Sequence, residues 1–83
     1  MNKSYAVIFS YSFDGDVAVY LFETYEKACE FMKDNYECQL REYEEMGWIA
    51  NGDINEDEGW ATIYNCFNDR MDVTRMEIGY VYE

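Results

Sequence analysis

The sequence contains no histidine, so it lacks the side chain that most often serves as a general base or a metal ligand near neutral pH. It also has no glycine-rich phosphate loop, nucleophile elbow or metalloprotease motif. Carboxylate pairs are frequent, but eighteen acidic residues among 83 produce such pairs by chance. We therefore expect that the chain is not an enzyme, and that it has no catalytic residue, cofactor or dedicated metal site.

Basic residues are scarce. Six lysines and arginines stand against eighteen acids, which gives a net charge of −12. A charge of this size repels nucleic acid and anionic membranes, and no apolar run is long enough to span a bilayer. We expect no direct contact with nucleic acid or membrane, and a basic protein as the partner.

Cysteine is also infrequent. The chain has an odd number of cysteines, namely Cys29, Cys38 and Cys66, and they form no CxxC motif. No secretory signal pattern follows Met1. This indicates reduced thiols and a cytoplasmic location in a host cell. There is no proline, while 49% of the residues are hydrophobic. That composition is typical of one folded domain, residues 1–83.

The first half of the chain predicts a hairpin followed by a long helix. Tyr5–Tyr11 and Val17–Phe22 are β-branched and aromatic runs separated by an Asp14-Gly15 turn signal. Thr24 is a candidate N-cap, and Gly47 is suited to end a helix over Tyr25–Met46. One apolar stripe at helical spacing contains Tyr25, Ala28, Cys29, Met32, Tyr36, Leu40 and Tyr43. We expect this stripe to lie on a sheet.

The second half predicts three strands, Trp48–Ile54, Trp60–Phe67 and Val73–Tyr82, with turns at residues 56–59 and 68–72. The first is the least regular, because Asn51-Gly52-Asp53 could form a loop instead. Alternation in the last strand places one set toward the helix: Thr74, Met76, Ile78, Tyr80 and Tyr82. The predicted fold is α+β, in the order ββαβββ, with one helix across one face of an antiparallel sheet.

One segment partly matches a calcium loop. Asp53-Ile54-Asn55-Glu56-Asp57 has the D-x-N-x-D spacing, but Glu58 replaces the required glycine and Tyr64 replaces the bidentate glutamate. We interpret the segment as a solvated acidic turn with at most weak affinity for divalent ions.

The acidic residues are concentrated in the middle of the chain. Residues 23–58 hold twelve acids and three bases, for a net charge of −9. Five of these acids fall on the helix side opposite the apolar stripe: Glu26, Glu30, Asp34, Glu37 and Glu44. We call this set the acidic ridge. Helical residues four apart are separated by about 6 Å along the axis, comparable to phosphate spacing along a nucleic-acid strand, so the ridge could occupy a groove lined with lysine and arginine.

Two further apolar surfaces are candidate contacts. Phe31 and Cys38 lie seven residues apart at the border of the acidic ridge, where either the loop after the helix or a partner covers them. One helix can cover only one face of the sheet. The other face therefore exposes one of two alternating sets of β1 side chains, either Tyr5, Val7, Phe9 and Tyr11 or the residues between them. Such a face suits homodimer formation.

The hairpin and the start of the helix carry a resemblance. The segments YAVIFSYSFD, DVAVYLF and ETYEKA resemble short acidic uncharacterised proteins of bacterial phages and mobile elements. Some small acidic proteins of that origin are anti-CRISPR inhibitors, which block the nucleic-acid site of a nuclease or hold it inactive. The resemblance supplies no functional residues for transfer.

The leading hypothesis is therefore an anti-CRISPR type of inhibitor that occupies a cationic nucleic-acid site, with the acidic ridge and Phe31 in contact with the partner. A second hypothesis is a small-ligand sponge that holds a signalling molecule between protomers, although six basic residues are few for a nucleotide ligand. A third is a non-catalytic regulatory module that binds proteins through the sheet face.

Overall fold

A computed structural model of the chain describes residues 3–11, 17–67 and 70–82. The elements are β1 (Lys3–Tyr11), β2 (Val17–Phe22), α1 (Tyr25–Glu45), β3 (Ile49–Asn55), β4 (Trp60–Phe67) and β5 (Arg70–Tyr82). The strands form a five-stranded antiparallel sheet in the order β2-β1-β5-β4-β3. Helix α1 packs on one face of this sheet. The predicted α+β fold with the order ββαβββ is confirmed.

Strand β5 is the centre of the sheet. It pairs with β1 from Lys3↔Tyr82 to Tyr11↔Thr74, and with β4 from Trp60↔Glu77 to Phe67↔Arg70. The β1–β2 pair and the β3–β4 pair are therefore joined through β5. At 13 residues β5 is long enough to serve both neighbours.

The residues predicted to cap the two ends of the helix, Thr24 and Gly47, are confirmed. The Thr24 side chain accepts a hydrogen bond from the Lys27 backbone N–H at 3.2 Å, as an N-cap does. At the other end, Gly47 has a φ of 78°, and the Trp48 N–H donates to the Tyr43 carbonyl at 2.9 Å. This is a Schellman ending, and the Tyr43 and Trp48 rings stack across it at 5.6 Å.

The core lies between α1 and the sheet. Ala28 and Met32 are fully buried on the helix, and Cys29, Tyr36, Leu40 and Tyr43 of the predicted stripe pack around them. The remaining stripe residue, Tyr25, has its ring against that of Tyr5. On the sheet, the buried side chains on the helix side are Val7, Phe9, Ala61, Ile63, Asn65, Thr74 and Met76. The predicted inward face of β5 is therefore confirmed at Thr74 and Met76. On β1, the set containing Val7 and Phe9 faces the helix, and the alternates face outward.

The segment Asn51-Gly52-Asp53 forms part of strand β3 and is not a loop. Gly52 pairs with Ile63 and lies directly beneath a helix side chain. A Cβ atom at Gly52 would lie 2.6 Å from the Tyr36 hydroxyl and 3.0 Å from the Thr62 carbonyl oxygen. Glycine is thus required here by close approach of the helix, a reason that a local turn signal does not reveal.

The turn predicted at residues 68–72 is wrong for Arg70 to Asp72, which belong to β5. Strand β4 continues to Phe67, and pairing with it keeps these residues extended. Residues 68 and 69, and the Asp14-Gly15 turn within residues 12–16, lie outside the described residues. The helix ends at Glu45, one residue before the predicted end.

Candidate partner-binding surface

The acidic ridge faces away from the sheet. Its five residues are all exposed: Glu26, Glu30, Asp34, Glu37 and Glu44. The opposite side of the helix carries buried Ala28 and Met32, which fix the rotation of α1 about its axis. Because α1 is a continuous 21-residue helix, the ridge is held along one rod, and its end residues are about 27 Å apart.

Nearby lysines do not neutralise the ridge. The Lys27 ammonium lies 4.0 Å from a Glu23 carboxylate oxygen, and the Lys33 ammonium lies 3.6 Å from one of Glu56. Both partners are outside the ridge. Among the described residues, no lysine or arginine nitrogen lies within 4 Å of a ridge carboxylate. The ridge carboxylates are therefore exposed and, within the described part of the chain, form no ion pair.

The C-terminal end of the helix has acids where the backbone disfavours them. Glu42, Glu44 and Glu45 occupy the last turn, which contains no basic residue. The helix dipole places partial negative charge at this end and favours lysine or arginine there. Helix stability therefore does not explain these acids, whereas Glu26 in the first turn agrees with the dipole.

The β3–β4 turn adds negative charge beside the helix. The Tyr25 hydroxyl donates to the Glu56 carbonyl at 2.6 Å, and the Cys29 thiol lies 3.6 Å from the same oxygen. Within the turn, the Glu58 N–H donates to the Asn55 side-chain oxygen at 2.9 Å. Asp57 is also exposed here. Sequence reasoning did not place this turn against the first half of the helix, because the contact joins residues about thirty positions apart.

This turn also affects two titratable groups. Burial raises the pKa of the Tyr25 hydroxyl, and interactions with Cys29, Asp57 and Glu56 raise it further. Burial likewise raises the pKa of the Cys29 thiol, and the charge of Glu56 adds to that effect. Both groups stay protonated at neutral pH. Tyr25 is therefore a stable hydrogen-bond donor, and Cys29 is a poor nucleophile.

Phe31 is partly buried against the sheet. Its ring centroid lies 4.9 Å from that of Phe22, 5.1 Å from Tyr20 and 5.9 Å from Phe9. The cover comes from strands β2 and β1, which neither sequence alternative anticipated. Cys38 is exposed, and its thiol donates to Glu42 at 3.6 Å. We therefore assign Phe31 to the attachment of α1 to the sheet, and the ridge alone forms the candidate surface.

The segment that resembles a calcium loop is divided between two elements. Asp53 lies in β3, and Asp57 lies in the turn that follows. Across residues 3–11, 17–67 and 70–82, no three cysteine or acidic side chains are close enough together to hold a metal ion. A shallow depression of roughly 430 Å³ lies beside this turn, lined by Lys33, Ile54, Asn55, Glu56 and Asp57. One lysine among carboxylates does not favour the phosphate groups of a nucleotide.

The sheet face opposite α1 is uncovered in the described part of the chain. Most of the large hydrophobic side chains that are exposed lie on it: Val17, Val19, Leu21, Ile49, Tyr64, Met71 and Val81. Sequence reasoning left open which set of β1 side chains would face this way. We call this surface the open face.

Comparisons with protein-family models, with curated proteins and with solved structures find no match for this chain. In the described part of the chain, no helix is both long enough and apolar enough to cross a membrane.

Proposed function

We propose that this chain is a non-catalytic inhibitor of the phage or mobile-element type, which binds a CRISPR effector nuclease at its cationic nucleic-acid site through the acidic ridge. The observation that supports the proposal is the ridge itself. Five exposed carboxylates lie along one side of a continuous helix, with no lysine or arginine of the described residues in ion-pair contact. Ridge residues four apart repeat at about 6 Å along the axis, and a rigid row of this kind suits a groove that binds phosphates.

The C-terminal end of the helix supports a functional role for this charge. Residues that destabilise the element in which they lie, with no neighbouring residue to offset the effect, are expected at functional sites. Glu44 belongs both to the ridge and to the acidic last turn, where the helix dipole disfavours it. A bound cationic partner would offset the repulsion between the Glu44 carboxylate and the negative end of the helix dipole.

The test measures target-DNA binding by purified, guide-loaded CRISPR effectors of several types in the presence of the chain. We expect the chain to inhibit one type, and inhibition to weaken as NaCl increases, because added salt screens exposed charges. A variant with Glu30→Lys, Asp34→Lys and Glu37→Lys should lose at least about a hundredfold in inhibition, since three attractive contacts become repulsive.

The matched control carries Glu23→Lys, Glu42→Lys and Asp53→Lys, which change the net charge equally but lie outside the ridge. We expect it to inhibit almost as well as the original chain. Equal loss in both variants would show that total charge acts without a defined surface. Failure to inhibit any effector type would rule out the proposed target.

A further inference from the structure

The open face differs from the rest of the molecule in its charge. Its described charged residues are Arg75 and Glu77 on central strand β5 and Asp53 on edge strand β3. The face therefore carries a net charge of only −1, whereas the chain as a whole carries −12. A second copy of the chain would be repelled by the ridge, but it would meet little repulsion at the open face.

The apolar part of the open face is largest at the β2 edge. Val17, Val19 and Leu21 are 63%, 56% and 59% exposed, and they lie beside Ile8 and Ala6 of β1. Strand β2 contains no charged residue. Contiguous exposed aliphatic side chains of this kind usually mark a contact surface.

We propose that the open face binds the open face of a second copy, so that two sheets stack with both helices outside. The two-fold axis would cross the strands through Met76. This places Arg75 of each copy opposite Glu77 of the other, and Met71 opposite Val81. Arg75 and Glu77 form an ion pair within one chain, and Arg75 also donates to the Thr62 hydroxyl and lies over the Trp60 ring. Both side chains are still about half exposed, so a partner above the sheet can reach them.

The available area fits such a dimer. The molecule measures 49 Å by 22 Å along its two longer axes, so one broad face offers at most roughly 1,100 Å². Standard interfaces bury about 800 Å² on each partner. Two twisted sheets packed face to face also keep their strands within about 30° of each other, which preserves the two-fold pairing at β5. This inference does not depend on the function proposed for the ridge.

The test is sedimentation velocity of the full chain over a range of protein concentrations, with circular dichroism to confirm the fold of each variant. We expect a reversible dimer whose Kd rises at least about tenfold with Val19→Lys, which places a charge in an apolar contact. Arg75→Glu and Glu77→Arg should each weaken the dimer by a similar factor. The double variant should restore it to within about threefold, because the opposite charges face each other again.

Three results would overturn the proposal. The first is a monomer at all concentrations, including at high salt where repulsion between copies is screened. The second is a dimer that responds to Val19→Lys but not to Arg75→Glu, which would indicate edge pairing of β2. The third is a monomer that binds neutral phosphatidylcholine vesicles through Val19, which would make the open face a lipid surface.

Discussion

At the scale of single residues, glycine positions show where sequence reasoning succeeds and where it fails. Gly47 was predicted to end the helix because such ends need a left-handed residue, and its φ of 78° confirms this. Gly52 left the choice between a strand and a loop open, and the structure places it in β3. Its role depends on Tyr36, sixteen positions earlier, whose ring lies over the strand. A contact between distant residues has no local signature, so sequence alone could not identify it.

The space around each glycine predicts opposite effects of substitution at Gly52 and Gly79, which both lie within strands. Gly52→Ala should lower the free energy of unfolding by about 1–3 kcal/mol, because the new methyl group overlaps the Tyr36 ring. Gly79→Ala should be neutral or stabilising by up to about 1 kcal/mol, since a Cβ atom there meets nothing within 4 Å. Urea unfolding followed by circular dichroism measures both. Equal destabilisation by both substitutions would contradict the assigned role of Gly52.

At the scale of elements, the buried sides of the helix and of β5 were predicted well because each has a strong period in the sequence. The Tyr25–Tyr43 stripe and the alternation in β5 both identify the buried side. The order of the strands could not be predicted in this way. Strand β5 carries apolar residues on both faces, a pattern that suits either a central or an edge strand. Its central position is established only by its pairing with both β1 and β4.

The two ends of the acidic ridge should respond oppositely in stability. Glu44→Lys should raise the free energy of unfolding by about 0.3–1 kcal/mol, because lysine suits the C-terminal end of the helix dipole. Glu26→Lys should lower it by a similar amount at the N-terminal end. Thermal unfolding at low salt measures the two changes.

Binding to the partner should weaken in both variants, since both residues belong to the ridge. A loss of binding that accompanies increased stability in Glu44→Lys cannot be attributed to unfolding. If partner binding instead followed stability, the Glu44→Lys variant would bind strongly and the Glu26→Lys variant weakly. That result would show that the ridge is not the contact surface.

At the scale of the whole molecule, the two faces are chemically different. The helix side carries the acidic ridge, and the open face is largely aliphatic with a central Arg75–Glu77 pair. The concentration of acids could be predicted from residues 23–58 by counting. The aliphatic open face could not, because the sequence does not reveal which of two alternating sets in β1 lies beneath the helix.

The net charge of −12 predicts that salt stabilises the fold. Raising NaCl from low to moderate concentration should increase the free energy of unfolding by on the order of 1 kcal/mol, because screening reduces repulsion among the acids. The ridge variant with three lysines, at a net charge of −6, should show a smaller increase. Urea titrations at matched ionic strengths measure this, and an equal salt effect in both proteins would show that the ridge is not a main source of repulsion.

The central position of β5 has a consequence for the order of folding. Strand β5 joins the β1–β2 pair to the β3–β4 pair, and it is synthesised after both of them. Its contacts with β1 connect residues at opposite ends of the described sequence. Two-stranded hairpins are marginal on their own in water, so we expect no stable half-structure during synthesis. Because long-range pairing also slows folding, acquisition of the native state should be slow and cooperative, and it should begin only when β5 has left the ribosome.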